Sequence, residues 1–135
     1  MTKANLERIN PDTLRQAPHY STVVTSEGGK LAHVAGAMAV TKEGLQGTGD
    51  LSAQMKQTYE NILLALKGAG AAPSDVVRQR MFVVDLKPEH RELVMKSMQD
   101  FYGDGPRPAS TLIGVASLVI EGALVEIDVT AAIDS

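Results

Sequence analysis

Between Asp50 and Gly70 the residues Leu51, Met55, Tyr59, Ile62, Leu63 and Leu66 recur at the spacing of one helical face. Asp50 stands where an N-cap stands, and Gly68 and Gly70 supply the stop. This helix must bury its stripe, and the segments on either side of it read as strands. Tyr20 to Val24 and Leu31 to Val40, separated by Ser26-Glu27-Gly28-Gly29, predict a hairpin over about 19–26 and 30–40. The β-branched run Val76 to Val84 predicts a further strand, bounded by Asp75 and Asp85. Pro88 suits the first turn of a second helix whose inward face is Val94, Met98, Phe101 and Tyr102, closed by Gly103. Two strands, about 109–119 and 123–132, finish the chain with a turn at Glu121-Gly122. Strands, helix, strand, helix, strands is not the regular alternation of a doubly wound sheet. The order predicts an α+β fold, one domain over residues 1–135, with two helices on one face of an antiparallel or mixed sheet. The other face, expected to be lined by Val and Ala, would then be buried against a second copy.

Composition excludes several chemistries. With 44% hydrophobic and 21% charged residues the chain has the make-up of a soluble domain. A net charge of −3 and the lack of a Lys/Arg run leave little for a nucleic-acid backbone to hold. The absence of cysteine removes disulfides, thiolate metal sites and a thiol nucleophile. His19, His33 and His90 lack metal-ligand spacing, and Gly44, Gly47 and Gly49 lack the Lys-Ser/Thr element of a phosphate loop, so no metal and no cofactor are expected. Met1 to Pro11 has no apolar signal core, and no run is long enough to cross a bilayer, which points by default to the cytoplasm and no membrane partner.

The last strand has the cleanest alternation, with Val125, Ile127 and Val129 on one side and Glu126, Asp128 and Thr130 on the other. Spacing alone suits a solvent-facing acidic edge. The other reading places a carboxylate beside apolar Leu124 and Val125, where a raised pKa would suit a general base toward water. His33 reads as a buried or interface histidine, and Tyr20 either packs or offers its hydroxyl to a ligand. Arg78 and Arg80 share one strand face, as a salt-bridged surface or as an anion anchor.

Tyr20-Ser21, His33-Val34-Ala35-Gly36, Asp50-Leu51 through Gly70, Val76-Val77 through Asp85-Leu86, Arg107-Pro108-Ala109 and Gly122 through Asp128 occur here in an order and spacing that covers nearly the whole chain. In these the sequence resembles the Rid family, the reactive intermediate deaminases also called the YjgF family. The resemblance implies a chorismate-mutase-like fold assembled as a homotrimer, with small-molecule clefts at the subunit interfaces. It further implies hydrolysis of imines or enamines to a keto acid and ammonia without metal or cofactor. In deaminating members an arginine after Pro-Ala holds the substrate carboxylate, a backbone site near Gly36 contributes, a tyrosine near Tyr20 lines the cleft, and a glutamate matching Glu126 positions water. Here Ser110 follows Pro108-Ala109, and Leu112 stands where cysteine is common. A hydroxyl cannot reproduce a bidentate guanidinium, which leaves Arg107 and Arg80 as candidate substitutes. The expected function is therefore deamination of a small imine or enamine, with Glu126 handling protons and Tyr20 and Ser110 touching the ligand. The alternative is a non-catalytic trimer that binds a metabolite or a regulatory partner. A ribonuclease gains nothing from the acidic charge or from the lack of a paired histidine.

Overall fold

In the computed structural model, which describes residues 2–135, eight strands and two α-helices build a sheet with helices on one face. The main sheet contains β3 (Lys30–Ala37), β6 (Val76–Val84), β7 (Ala109–Val115) and β8 (Val125–Ile133), in the order β3-β8-β6-β7. It is mixed, because β6 and β7 run parallel while β8 is antiparallel to both its neighbours. The helices are α1 (Leu51–Gly68) and α2 (Arg91–Tyr102), the latter preceded by a 3-10 turn at Pro88–His90. Two ribbons complete the chain: β1 (Asn5–Ile9) with β2 (Val23–Glu27), and the short β4 (Val40–Thr41) with β5 (Gly44–Leu45).

Asp50 caps α1 as its position predicts, accepting from the Ala53 amide at 3.0 Å. The stripe of α1 supplies Met55, Tyr59, Ile62 and Leu66 to the core, where they meet Val94 and Met98 of α2 and Met81, Val125, Ile127 and Val129 of the sheet.

Pairing differs from expectation at both ends of the chain. The hairpin over 19–26 and 30–40 does not form: β2 pairs with β1, and β3 pairs with β8. Gly28 and Gly29 turn the chain from one sheet into the other with φ of +73° and +68°, and a Cβ at Gly29 would stand 2.2 Å from the Ile133 carbonyl. The charged segment Asn5-Leu6-Glu7-Arg8-Ile9 gave no strand signal of its own, yet it takes the edge of β2 that a hairpin would have used. The last two strands also do not pair with each other. The penultimate strand stops at Val115, and β8 enters the middle of the sheet between β3 and β6. A central position satisfies both backbone edges of the most buried strand in the chain.

The uncovered face is a second correction. Val125, Ile127 and Val129 point toward the helices, so the open face carries Arg78, Arg80 and Phe82 of β6 with Glu126, Asp128 and Thr130 of β8, flanked by Leu31 and Ile113. It is polar along its centre and apolar at its margins rather than lined by Val and Ala.

One polar side chain lies at the middle of the covered face. Gln79 of β6 is fully buried, and its Oε1 accepts from the hydroxyls of Tyr59 (2.9 Å) and Tyr102 (2.7 Å) while its Nε2 donates to Ser110 Oγ (2.9 Å). Burial raises both phenols above their ordinary value of 10.0, and the pair raise Tyr102 further by their mutual repulsion. A pKa raised on folding gives stability that is complete below the unfolded value and is lost as pH climbs toward the folded one. The urea midpoint should therefore hold constant up to about pH 10 and fall steeply above it, where the unfolded phenols ionise first. Tyr59→Phe should make that alkaline slope shallower, and an unchanged slope would contradict the account.

Candidate functional site

The two carboxylates of β8 on the open face have different surroundings. Asp128 is held by Arg80 through two parallel bonds, Nε to Oδ1 at 3.0 Å and Nη2 to Oδ2 at 2.8 Å. The same guanidinium lies over the Phe82 ring at 5.8 Å. Arg80 is half exposed, so this pair adds little to stability. Its effect is to neutralise Asp128. The half-buried Glu126 has no side-chain hydrogen bond and no ion pair with any described residue.

Local backbone geometry explains where the Glu126 carboxylate sits. On one side Glu126 is opposite Phe82, and on the other β3 bulges between Val34 and Ala37, placing an extra residue against β8. Gly36 lies in that bulge, and a Cβ there would come within 2.0 Å of Glu126 Oε2. The glycine is needed for space and not for a left-handed φ. The approach to β8 is fixed by α1, where the buried Gln54 accepts from the Leu124 amide at 2.8 Å and donates to the Gly122 carbonyl at 3.0 Å. His33 stays on the same face with Nδ1 3.2 Å from Thr130 Oγ1, and it reaches neither Glu126 nor another histidine.

Farther along β6 a cleft of about 400 Å³ opens between the loop before β2 and the β6–β7 pair. Leu14, Arg15, Tyr20, Arg78, Ser110 and Thr111 are among its walls. The loop is fastened by Ser21, whose amide donates to the Pro108 carbonyl at 3.0 Å and whose hydroxyl donates to the Arg107 carbonyl at 2.7 Å. That docking brings Tyr20 beside β7. Ser110 Oγ receives the Gln79 amide, which leaves its own O–H as a donor. Arg78 makes one side-chain hydrogen bond, to Thr111 Oγ1 at 3.4 Å.

The residues named from sequence thus fall into separate groups. Glu126 and Gly36 touch each other, and Tyr20 and Ser110 share the cleft. Leu112 is opposite Met81 and packs inward against the core. Arg107 closes the end of α2, donating to the Gln99 side chain and to the Gly103 carbonyl (3.1 Å) with its guanidinium over Tyr102. Arg80 belongs to Asp128. Arg78 enters the cleft instead, and the alternation of Arg78 with Arg80 indicated the face without distinguishing the two. Glu126 is opposite Phe82, and Arg78 lies four residues earlier on the same strand, about 13 Å away along the sheet.

A larger groove, about 670 Å³, runs between α1 and α2 on the covered side, rimmed by the Lys96–Asp100 ion pair and remote from Glu126. Among the described residues no cluster of His, Asp and Glu could hold a metal ion, and no helix is long and apolar enough to cross a membrane.

Comparison with known proteins gives a consistent picture. The family profile described as Endoribonuclease L-PSP matches residues 11–133. A Yersinia pestis protein of unknown function from the conserved Rid family is 36% identical, with a TM-score of 0.91 over 96% of this chain and 99% of that one. A Mycobacterium tuberculosis member of the YjgF/YER057c/UK114 family is 33% identical, with a TM-score of 0.64 over 84% and 86% of the two chains. A Rhodopseudomonas palustris protein described as a probable translation initiation inhibitor is 29% identical, with a TM-score of 0.71 over 97% and 100%. No curated protein matches the chain.

Gly36→Ala isolates the contact with Glu126. The clashing atoms belong to the flexible end of a side chain, so the urea midpoint should shift by no more than about 1 kcal/mol in stability. The Glu126 carboxyl ¹³C resonance should move as the carboxylate swings away; an unmoved resonance would show that the two residues do not touch.

Proposed function

The chain belongs to the Endoribonuclease L-PSP family, the Rid or YjgF proteins, and on that premise we propose that it hydrolyses a small imine or enamine to a carbonyl compound and ammonia, in a cleft completed between copies of the chain. The observation that carries this reading is the contrast between the two carboxylates. Asp128 is neutralised by Arg80, while Glu126 lies partnerless over the Gly36 bulge and is the carboxylate on that face left free to accept a proton.

Glu126 takes a proton from water as the water oxygen bonds to the C=N carbon; the C=N π pair moves to nitrogen, which takes a proton from solvent and gives the carbinolamine. Glu126 then returns its proton to that nitrogen, the C–N bond breaks with its electron pair leaving on ammonia, and the carbinolamine hydroxyl gives its proton to solvent as the carbonyl forms. An enamine first gains a proton at carbon to become the imine. Tyr20 and Ser110 contribute hydroxyl donors that hold the ligand. The separation of about 13 Å between Glu126 and the Tyr20 cleft argues that one copy brings its Glu126 to a neighbour's cleft. Leu31 and Ile113, 54% and 40% exposed on the open face, offer apolar contact for such packing, and a trimer is the assembly this reading expects.

The test uses 2-iminopropionate generated in place by a serine dehydratase. The wild type should release keto acid well above the spontaneous rate, and Glu126→Ala should reduce the enzymatic part by about a hundredfold or more. Wild-type rates equal to background would sink the deaminase reading and favour a metabolite-binding protein. Solution mass is the companion measurement, and a stable monomer would remove the shared cleft.

A further inference from the structure

The exchange of arginine for Ser110 removes one guanidinium, but the cleft is not left without positive charge. We propose that Arg78, with Arg15 beside it, is the anion anchor of this chain: it takes the carboxylate of a small metabolite in the cleft walled by Tyr20, Ser110 and Thr111, and Arg15 favours a ligand bearing a second negative charge. The inference rests on the reading of that cleft as the substrate site.

The distribution of the arginines supports it. Arg80 spends its fork on Asp128, while Arg107 turns its Nη2 to Gln99 and the Gly103 carbonyl at the end of α2, and its Nη1 is buried there without a partner instead of facing the cleft. Arg78 forms no ion pair with any described residue, and its bond to Thr111 at 3.4 Å lies at the weak limit. A guanidinium has five N–H donors, so most of the donors of Arg78 are available to a ligand. The lining of the cleft includes Arg15 and Arg78 and no aspartate or glutamate, in a chain whose net charge is −3. Acidic residues exceed basic ones overall, so a cleft with arginines alone departs from the average surface in the direction an anion requires.

Thr111 faces the same side of β7 as Arg78 and accepts from it, which leaves the threonine O–H free to donate to a ligand. Ser110 alternates to the covered side, where its oxygen receives the Gln79 amide, and it borders the cleft at one edge. The walls therefore present donors, and about 400 Å³ admits a metabolite of modest size. Arg78 and Arg80 differ because of register. Arg80 is opposite an aspartate on β8, and Arg78 is opposite Thr130.

Titration of ¹⁵N-labelled protein with 2-oxobutyrate and 2-oxoglutarate tests the proposal without depending on turnover. Both should perturb amides around Tyr20, Arg78 and Ser110, and the dicarboxylate should bind several-fold tighter. Arg78→Gln should weaken both by about tenfold or more, Arg78→Lys by less, and Arg15→Gln should remove the preference for the dicarboxylate. Equal affinity of wild type and Arg78→Gln, or binding lost in Arg107→Gln instead, would overturn the anchor. Equal binding of the two acids by the wild type would overturn the role of Arg15. In the deaminase assay, Arg78→Gln should raise KM with little change in kcat. An unchanged KM would overturn the anchor and leave the deaminase reading standing. Carboxylate binding with no turnover would do the reverse.

Discussion

The buried amide of Gln79 is the contact on which the arrangement of this molecule depends. From the middle of β6 it reaches α1 through Tyr59, α2 through Tyr102 and β7 through Ser110. A buried amide left without partners costs about 1–3 kcal/mol for each unpaired group, so these elements must keep the one geometry that satisfies all its bonds. Apolar contacts in this core, which is built without Trp from aliphatic residues, Met and the two tyrosines, are non-directional and do not by themselves fix one register. The amide removes that freedom. Phe101, stacked on Tyr59 at 4.4 Å between ring centroids, covers the network from the helix side.

The two faces of the sheet divide the work. The covered face holds the helices by apolar burial around Gln79. The open face carries charge, and there the register of β8 against β6 decides which carboxylate is paired. Arg80 falls opposite Asp128 and Phe82 falls opposite Glu126. A shift of one residue would turn the valines of β8 outward and its carboxylates into the core, so hydrophobic burial and the state of Glu126 are set by the same alignment.

Much of this was legible in the sequence. Helical periodicity with the Asp50 cap gave α1, and β-branched runs gave β6 and β8 nearly to the residue. Strand pairing was not legible. Turn signals such as Gly28-Gly29 mark a reversal without stating which sheet the next strand joins, and the charged β1 competes for an edge no local pattern reveals. Of the proposed site, the alternation around Glu126 indicated the face, and the family resemblance made that residue the candidate. That Arg80 would be consumed by Asp128, and that Ser110 would be tied to Gln79, depend on cross-strand register, which lies beyond any local window of sequence.

The bond between Gln79 and Ser110 bears on how such a cleft could change over generations. Residue 110 lines the cleft, and its oxygen also satisfies a buried amide. Arginine at 110 has no acceptor to give, so the substitution would leave the buried Gln79 Nε2 only its weak contact with Met81 Sδ at 3.4 Å. Residue 79 would have to change with it, and residue 79 also answers to two tyrosines. A route to an arginine at this position is therefore a coupled path through several sites, and each single step taken alone passes through a less stable protein.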